Sequence, residues 1–289
     1  MEVKCPSCGS LKIYKSFKDK KTKVKINICD SCYFIYQPPC QDLDYYKIKC
    51  TTTKVLDLEK HSQDTADYIF NFSKKFINPP DSILEIGASS PLTLQKISKY
   101  FPSLSKLCGL NLPLLNQPTS IPNISMVYND LIDKKPSKKL INSLTLIPFS
   151  TSFFYDFIYC RHTLEHFTNP LNTLKNTYNL LSDGGIAFFE VPSFLWTEVN
   201  NVPTYDKEHL SYFTKESLEN MFLICNFKIL KIKESKNWGN IKILVKKIPN
   251  NTNPPLLKIK NTFRLKKLYN IFHPIFVLKK KIYKPQPNS

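Results

Sequence analysis

The chain has 289 residues, enough for one sizeable hydrophobic core and a small accessory unit, and a formal charge of +18. Nearly all of that charge is lysine, the two arginines being Arg161 and Arg264, so the forked donors that favour phosphate recognition are scarce and nucleic acid ranks low as a partner. No apolar run reaches the ~18 residues of a membrane span, and MEVKCPSC is not built like a secretory signal, which leaves the cytoplasm as the expected compartment.

Nine cysteines in such a chain point to thiols and metal ligation over disulfides. Cys5 and Cys8 stand in CPSCG, Cys29 and Cys32 in CDSCY, and twenty residues separate the pairs. Two thiolates two residues apart can turn toward one ion, so residues 1–40 read as a zinc ribbon with a closed, structural four-cysteine site; a redox dithiol is the alternative. LKIYKSF and KVKINI read as two strands of a hairpin too small to fold without the metal as its core. Cys40, Cys50, Cys108, Cys160 and Cys225 lack ligand spacing and read as small buried apolar residues.

Residues 41–80 hold a polar linker and a helix over about Lys60 to Ile77, stopped by Asn78, Pro79 and Pro80. It either covers an edge of the following sheet or closes over a ligand. From Ser82 the elements alternate. The segment SILEIGASSP is a short apolar strand ending in Glu85 and Gly87, and a carboxylate there is costly unless it meets a polar ligand or donor at the carboxyl edge of a sheet. A helix over about Leu92 to Tyr100, a strand KLCGLN ending at Asn111, a strand ISMVYND ending at Asp130 and a strand YDFIYC follow. Asn169 and Pro170 supply a cap and first helical residue for PLNTLKNTYNLL. Asp183, Gly184 and Gly185 turn that helix into the strand IAFFEVP. Thr214 caps KESLENMFLICN, and FKILKIKE pairs with IKILVKK. The alternation predicts an α/β domain over residues 81–248: a mostly parallel sheet covered on both faces, with an antiparallel carboxy-terminal edge.

In order, LEIGASSP, LIPFSTSFFYDFIYCRHTLEHFTNP and LLSDGGIAFFEVPSF resemble the class I S-adenosylmethionine-dependent methyltransferases, whose fold is a Rossmann-like seven-stranded sheet. With the amino-terminal ribbon and YDKEHLSYFTKESLENMF, the likeness is to zinc-ribbon sugar C-methyltransferases and their shorter relatives in glycan biosynthesis. This resemblance implies a nucleotide- or lipid-linked sugar or glycan as acceptor. It implies that Glu85, Gly87, Ala88 and Ser89 line the methionine part of the cofactor. Asn111 stands where an acid normally meets the ribose, Asp130 lies beside the adenine, and Cys160, Arg161 and His162 border the transferred methyl. Further glycines are usual where Ser89 and Pro91 stand, and a non-glycine residue forced into left-handed geometry costs about 1–2 kcal/mol. The family's catalytic pair falls on Glu208 and His209.

From the residues themselves, His166 in HTLEH and Glu208 with His209 in YDKEHLSYF belong to the expected cofactor edge. Methyl transfer needs in-line positioning and a base, and imidazole titrates near neutrality. His209 or His166 is then the base, with Glu208 orienting it or binding a sugar hydroxyl. His166 reads equally well as a core or capping residue, and Glu165 and His162 read as structural. The tail over residues 249–289 combines basic residues with Phe263, Tyr269, Phe272, Phe276 and Tyr283, suited to peripheral contact with an anionic membrane, to single-stranded nucleic acid, or to no partner at all. Two other functions remain open on the sequence: an RNA methyltransferase, and a catalytically silent binding protein that keeps the fold.

Overall fold

A computed structural model describes residues 4–19, 22–38, 58–111, 121–128, 154–195, 208–235 and 239–249. Asp130, Cys40, Cys50, the side chain of Asn111 and the basic tail beyond residue 249 lie outside the described residues.

The amino-terminal hairpin is β1 (Ile13–Lys18) paired antiparallel with β2 (Lys25–Cys29). Each cysteine knuckle closes alike: the Gly9 amide donates to the Cys5 carbonyl at 2.8 Å, and the Tyr33 amide to the Cys29 carbonyl at 3.1 Å. Both fifth residues take left-handed backbone, φ 75° at Gly9 and 55° at Tyr33. Glycine adopts this freely, whereas Tyr33 pays for it and packs edge-on against Tyr14 at 5.5 Å.

The ribbon does not stand apart from the rest of the chain. β3 (Ile35–Tyr36) pairs with β2 on one side and, on the other, with β9 (Ser211–Tyr212) from far along the sequence, giving the order β1-β2-β3-β9. Ile26, Ile28 and Ile35 pack with Phe194 and Tyr212, while Phe34 and Tyr36 join the main core, where Phe34 meets Phe213 edge-on at 5.5 Å. The hairpin therefore has an apolar core supplied by the larger domain in addition to any metal.

That domain is a seven-stranded sheet of β4 (Ser82–Ile86), β5 (Lys106–Asn111), β6 (Ile124–Tyr128), β7 (Tyr155–Arg161), β8 (Leu181–Pro192), β10 (Phe227–Glu234) and β11 (Asn240–Lys247), in the order β10-β11-β8-β7-β4-β5-β6. Pairings from β6 through β8 are parallel. β11 runs antiparallel to both β8 and β10. The reversed strand thus lies one place in from the edge, and β10 outside it points the same way as β8. This is the Rossmann-like, mostly parallel architecture expected.

Side chains alternate across the sheet because strand residues point to opposite faces in turn. Ile83, Phe157, Phe188 and Leu244 meet Ala66, Ile69 and Phe72 of α1 (Leu58–Ser73) and Leu94 and Ile97 of α2 (Leu92–Ser98). Leu84, Ile158, Phe189 and Ile243 meet Leu174 of α3 (Pro170–Leu180) and Leu218, Met221 and Phe222 of α4 (Lys215–Ile224). Each fully buried side chain of this size stabilises the fold by about 1.5–3 kcal/mol. α1 covers a face of the sheet, not its edge, and ends at Ser73, whose hydroxyl donates to the Ile69 carbonyl at 2.7 Å. Asn169 caps α3 by accepting from the Asn172 amide at 3.0 Å, and Thr214 and Ser217 form a reciprocal capping box on α4. No helix among the described residues is long and apolar enough to cross a membrane.

Candidate functional site

The carboxyl ends of β4, β5, β7 and β8 share one edge of the sheet, where parallel strands deliver ligand-binding groups. The β4 loop folds over β5: the amides of Gly87 and Ala88 both donate to the Leu110 carbonyl, at 2.7 and 3.1 Å. This puts the loop beside Asn111, the last residue of β5. Gly87 has φ 85°, and a Cβ built on it would fall 2.1 Å from the Thr163 hydroxyl oxygen. The bare backbone anticipated for a cofactor is thus approached by Thr163, a residue the sequence did not single out.

The departures from glycine in this loop carry no left-handed strain. Ser89 is exposed and is not among the positive-φ residues, and Pro91, at φ −73° and ψ −6°, adopts the backbone proline prefers just before α2. The cost anticipated at these two positions is not incurred. Ala88 and Cys160, by contrast, are fully buried. Their side chains belong to the core beneath the edge, so they present no surface to a ligand there.

Glu85 sits one strand from Tyr159 in direct register, and the Tyr159 hydroxyl donates to Glu85 Oε2 at 2.8 Å. Burial raises the carboxyl pKa to about 7, against the smaller opposing effects of the Tyr159 bond and the Arg161 charge. Burial, reinforced by Glu85, pushes the Tyr159 phenol far up, so it stays a donor. A carboxyl whose charged form is disfavoured by burial gains from any cation placed against it.

A second acid, missed by the sequence reading, organises the neighbouring strand ends. Glu190, 2% exposed at the end of β8, accepts from Arg161 Nε at 2.6 Å, Tyr68 Oη at 3.1 Å and Asn240 Nδ2 at 2.8 Å. Arg161 Nη1 also donates to Thr65 Oγ1 at 3.0 Å. The guanidinium is therefore committed to α1 and β8. His162 follows with φ 47°, its amide donating to the Glu190 carbonyl at 2.9 Å and its Nε2 lying 3.3 Å from Asn240 Nδ2.

The three residues expected to carry chemistry converge, with one change of partner. The rings of His166 and His209 lie 4.9 Å apart. The acid between them is Glu165, 1% exposed, whose Oε1 is 3.9 Å from His166 Nε2 and 3.7 Å from His162 Nδ1. Burial pushes the Glu165 carboxyl up, but the His162 hydrogen bond and the charges of His166, His162 and His209 outweigh it and hold it below the usual range. Glu208 enters through its backbone, its carbonyl accepting from His166 Nδ1 at 2.9 Å. Because a carbonyl only accepts, Nδ1 is the donor, and in the neutral tautomer of His166 the lone pair therefore lies on Nε2. The Leu210 amide donates to the Glu165 carbonyl at 2.8 Å, which ties the two segments together.

On the ribbon, Cys5 Sγ lies 3.6 Å from Cys32 Sγ and Cys8 Sγ 3.5 Å from Cys29 Sγ, and all four sulfurs fall within 4.8 Å of one another. Tetrahedral zinc with bonds of ~2.3 Å needs sulfurs about 3.8 Å apart, so the cluster fits such an ion with small adjustment. The thiol hydrogen bonds that lower Cys29 are also those that raise Cys5 and Cys32, so a cation among these thiols would favour their ionised forms together.

Among solved structures, the chain is similar to one from the Haloferax volcanii complex of the Trm112 methyltransferase activator with a methyltransferase, at 10% identity and TM-score 0.49, covering 66% of this chain and 95% of that one. It is similar to the N-methyltransferase NodS from Bradyrhizobium japonicum in complex with S-adenosyl-L-homocysteine, at 13% identity and TM-score 0.46, covering 70% and 97%. It is also similar to the plantazolicin methyltransferase BpumL, at 16% identity and TM-score 0.48, covering 72% and 91%. No curated protein matches the sequence. The family model described as "Methyltransferase domain" matches residues 58–232, more than half of the chain and the whole of the strand edge described above, and the protein belongs to that family.

Proposed function

We propose that the protein is an S-adenosylmethionine-dependent methyltransferase acting on a sugar or glycan precursor, nucleotide- or lipid-linked, with a structural zinc held by Cys5, Cys8, Cys29 and Cys32. The observation that carries this reading is the convergence of Glu165, His166 and His209 at the strand edge, joined to the Gly87 loop through Thr163. Glu85 supports the cofactor assignment: a carboxyl held up near 7 by burial is complementary to a ligand bearing ammonium and sulfonium charges. When bound, S-adenosylmethionine supplies the electrophilic methyl group.

The chain's own residues position the acceptor and manage its proton. His166, with its Nδ1 proton committed to the Glu208 carbonyl, offers Nε2 to the acceptor hydroxyl or acidic C–H. The Glu165 carboxylate beside it stabilises the imidazolium that forms, and His209 shares the cluster. The ribbon joins the segment that carries Glu208 and His209 through the pairing of β3 with β9. The test is transfer of labelled methyl from S-adenosylmethionine to a panel of nucleotide-linked and lipid-linked sugars. Turnover is expected with at least one, and is expected to be lost on replacing Glu208 and His209 by Gln and Ala; full turnover in that variant refutes the assignment.

A further inference from the structure

Glu165 is a buried acid whose charge no lysine or arginine among the described residues meets. Its ion-pair partners there are His162 and His166, and its Oε2 is buried without a hydrogen-bond partner. One ligand atom from each of Glu165, His166 and His209 lies within 4.8 Å of the others. We propose that these three residues form a second metal site, distinct from the four-cysteine ribbon, which takes a first-row transition dication such as zinc.

Four observations support it. The donor set is two imidazoles and one carboxylate, which suits zinc and its neighbours, whereas magnesium and calcium prefer oxygen alone. His166 donates Nδ1–H to a backbone carbonyl, the outer-shell bond that metal-bound histidines usually make and that leaves Nε2 as the ligating atom. The ligands stand on tied backbone: the Leu210 amide holds Glu165, and Gln37 Nε2 donates to the His209 carbonyl at 2.5 Å. Glu165 turns Oε1 toward His166 Nε2, 3.9 Å away, while its buried Oε2 has no hydrogen-bond partner, so the carboxylate has an oxygen to spare for an ion. Bonds of ~2.1 Å place neighbouring ligand atoms about 3.4 Å apart in a tetrahedron, so the trio closes on an ion by modest ring and carboxylate rotation.

The lone pair that an ion takes on His166 Nε2 is the one that receives the acceptor proton. Loading the site therefore inhibits methyl transfer. This consequence rests on the proposed function, but the metal site does not.

Cobalt(II) titration of the full-length protein under reducing conditions separates the two. One equivalent enters the ribbon and gives intense thiolate charge-transfer absorption. A second equivalent is expected with weak ligand-field bands and no added thiolate absorption, lost in the Glu165→Gln, His209→Ala double variant while the ribbon spectrum remains. Binding of the ribbon equivalent alone, or a second equivalent kept by that variant, overturns the site. If the variant does not fold, ring nitrogen resonances of His166 and His209 in the unmodified protein decide: they shift on zinc addition if the site exists, and unmoved resonances overturn it. Methyl transfer that persists with the second equivalent bound overturns the inhibition, whereas failure to bind S-adenosylmethionine refutes the methyltransferase reading and leaves the cobalt result standing.

Discussion

Gln37, at the end of the ribbon, clamps His209 through its side chain and the next residue, Leu210, through its backbone. Its Nε2 donates to the His209 carbonyl at 2.5 Å, and its amide donates to the Leu210 carbonyl at 3.0 Å. Ribbon integrity and the placing of His209 are thereby one mechanical unit. Chelating the zinc proposed for the ribbon, or replacing Cys29 by Ser, is expected to reduce amide-exchange protection over residues 208–213 together with that of β2 and β3. Gln37→Ala is expected to cost about 1 kcal/mol in a denaturant melt and to lower kcat while zinc content is unchanged.

Gly87 faces two penalties on gaining a side chain: left-handed backbone at φ 85° and collision with Thr163. Gly87→Ala is expected to destabilise by at least about 1–2 kcal/mol, and Thr163→Ala in the same chain to recover part of the loss. Pro91→Gly is expected to lose roughly 0.5–1 kcal/mol, because the native backbone already suits proline.

Glu85 titrates near 7 when folded and near 4.5 when unfolded, owing to burial. Between those values the folded chain holds a proton that the unfolded chain has lost, so this group's contribution to stability declines as pH rises through the window. Glu85→Gln is expected to remove that decline from a stability profile over the same range. A cationic ligand placed against Glu85 is expected to expel the proton near neutrality, seen as a binding heat that depends on the ionisation enthalpy of the buffer.

The Arg161–Glu190 pair is a structural demand at the site's margin. Arg161→Met leaves a carboxylate that is 2% exposed with, among the described residues, only Tyr68 and Asn240 as donors, and a loss of about 3 kcal/mol is expected in chemical denaturation. Adding Glu190→Gln is expected to restore much of it, since the uncompensated charge is then gone.

The elements legible in the sequence are those set by local rules. The ILEIG strand, the Asn169–Pro170 start of α3 and the Thr214 cap of α4 each follow from a few adjacent residues, and each is present. β9 is not legible: two residues become a strand only because β3, more than a hundred residues earlier, lies beside them. Glu165 reads as structural beside Glu208 for a related reason. Which of two acids near a histidine is buried among its rings is a tertiary property, and the Leu210 amide, not any spacing, brings Glu165 and His209 together. At Pro91 a departure from glycine suggests left-handed backbone, whereas the chain reaches α2 through right-handed geometry there.

Calorimetric titration of the full-length protein with S-adenosylmethionine tests the central assignment most directly. Saturable one-site binding is expected, weakened by Glu85→Gln and abolished by Gly87→Val. Absence of saturable binding at high ligand concentration, in protein whose ribbon metal is bound, contradicts the assignment of this strand edge to methyl transfer.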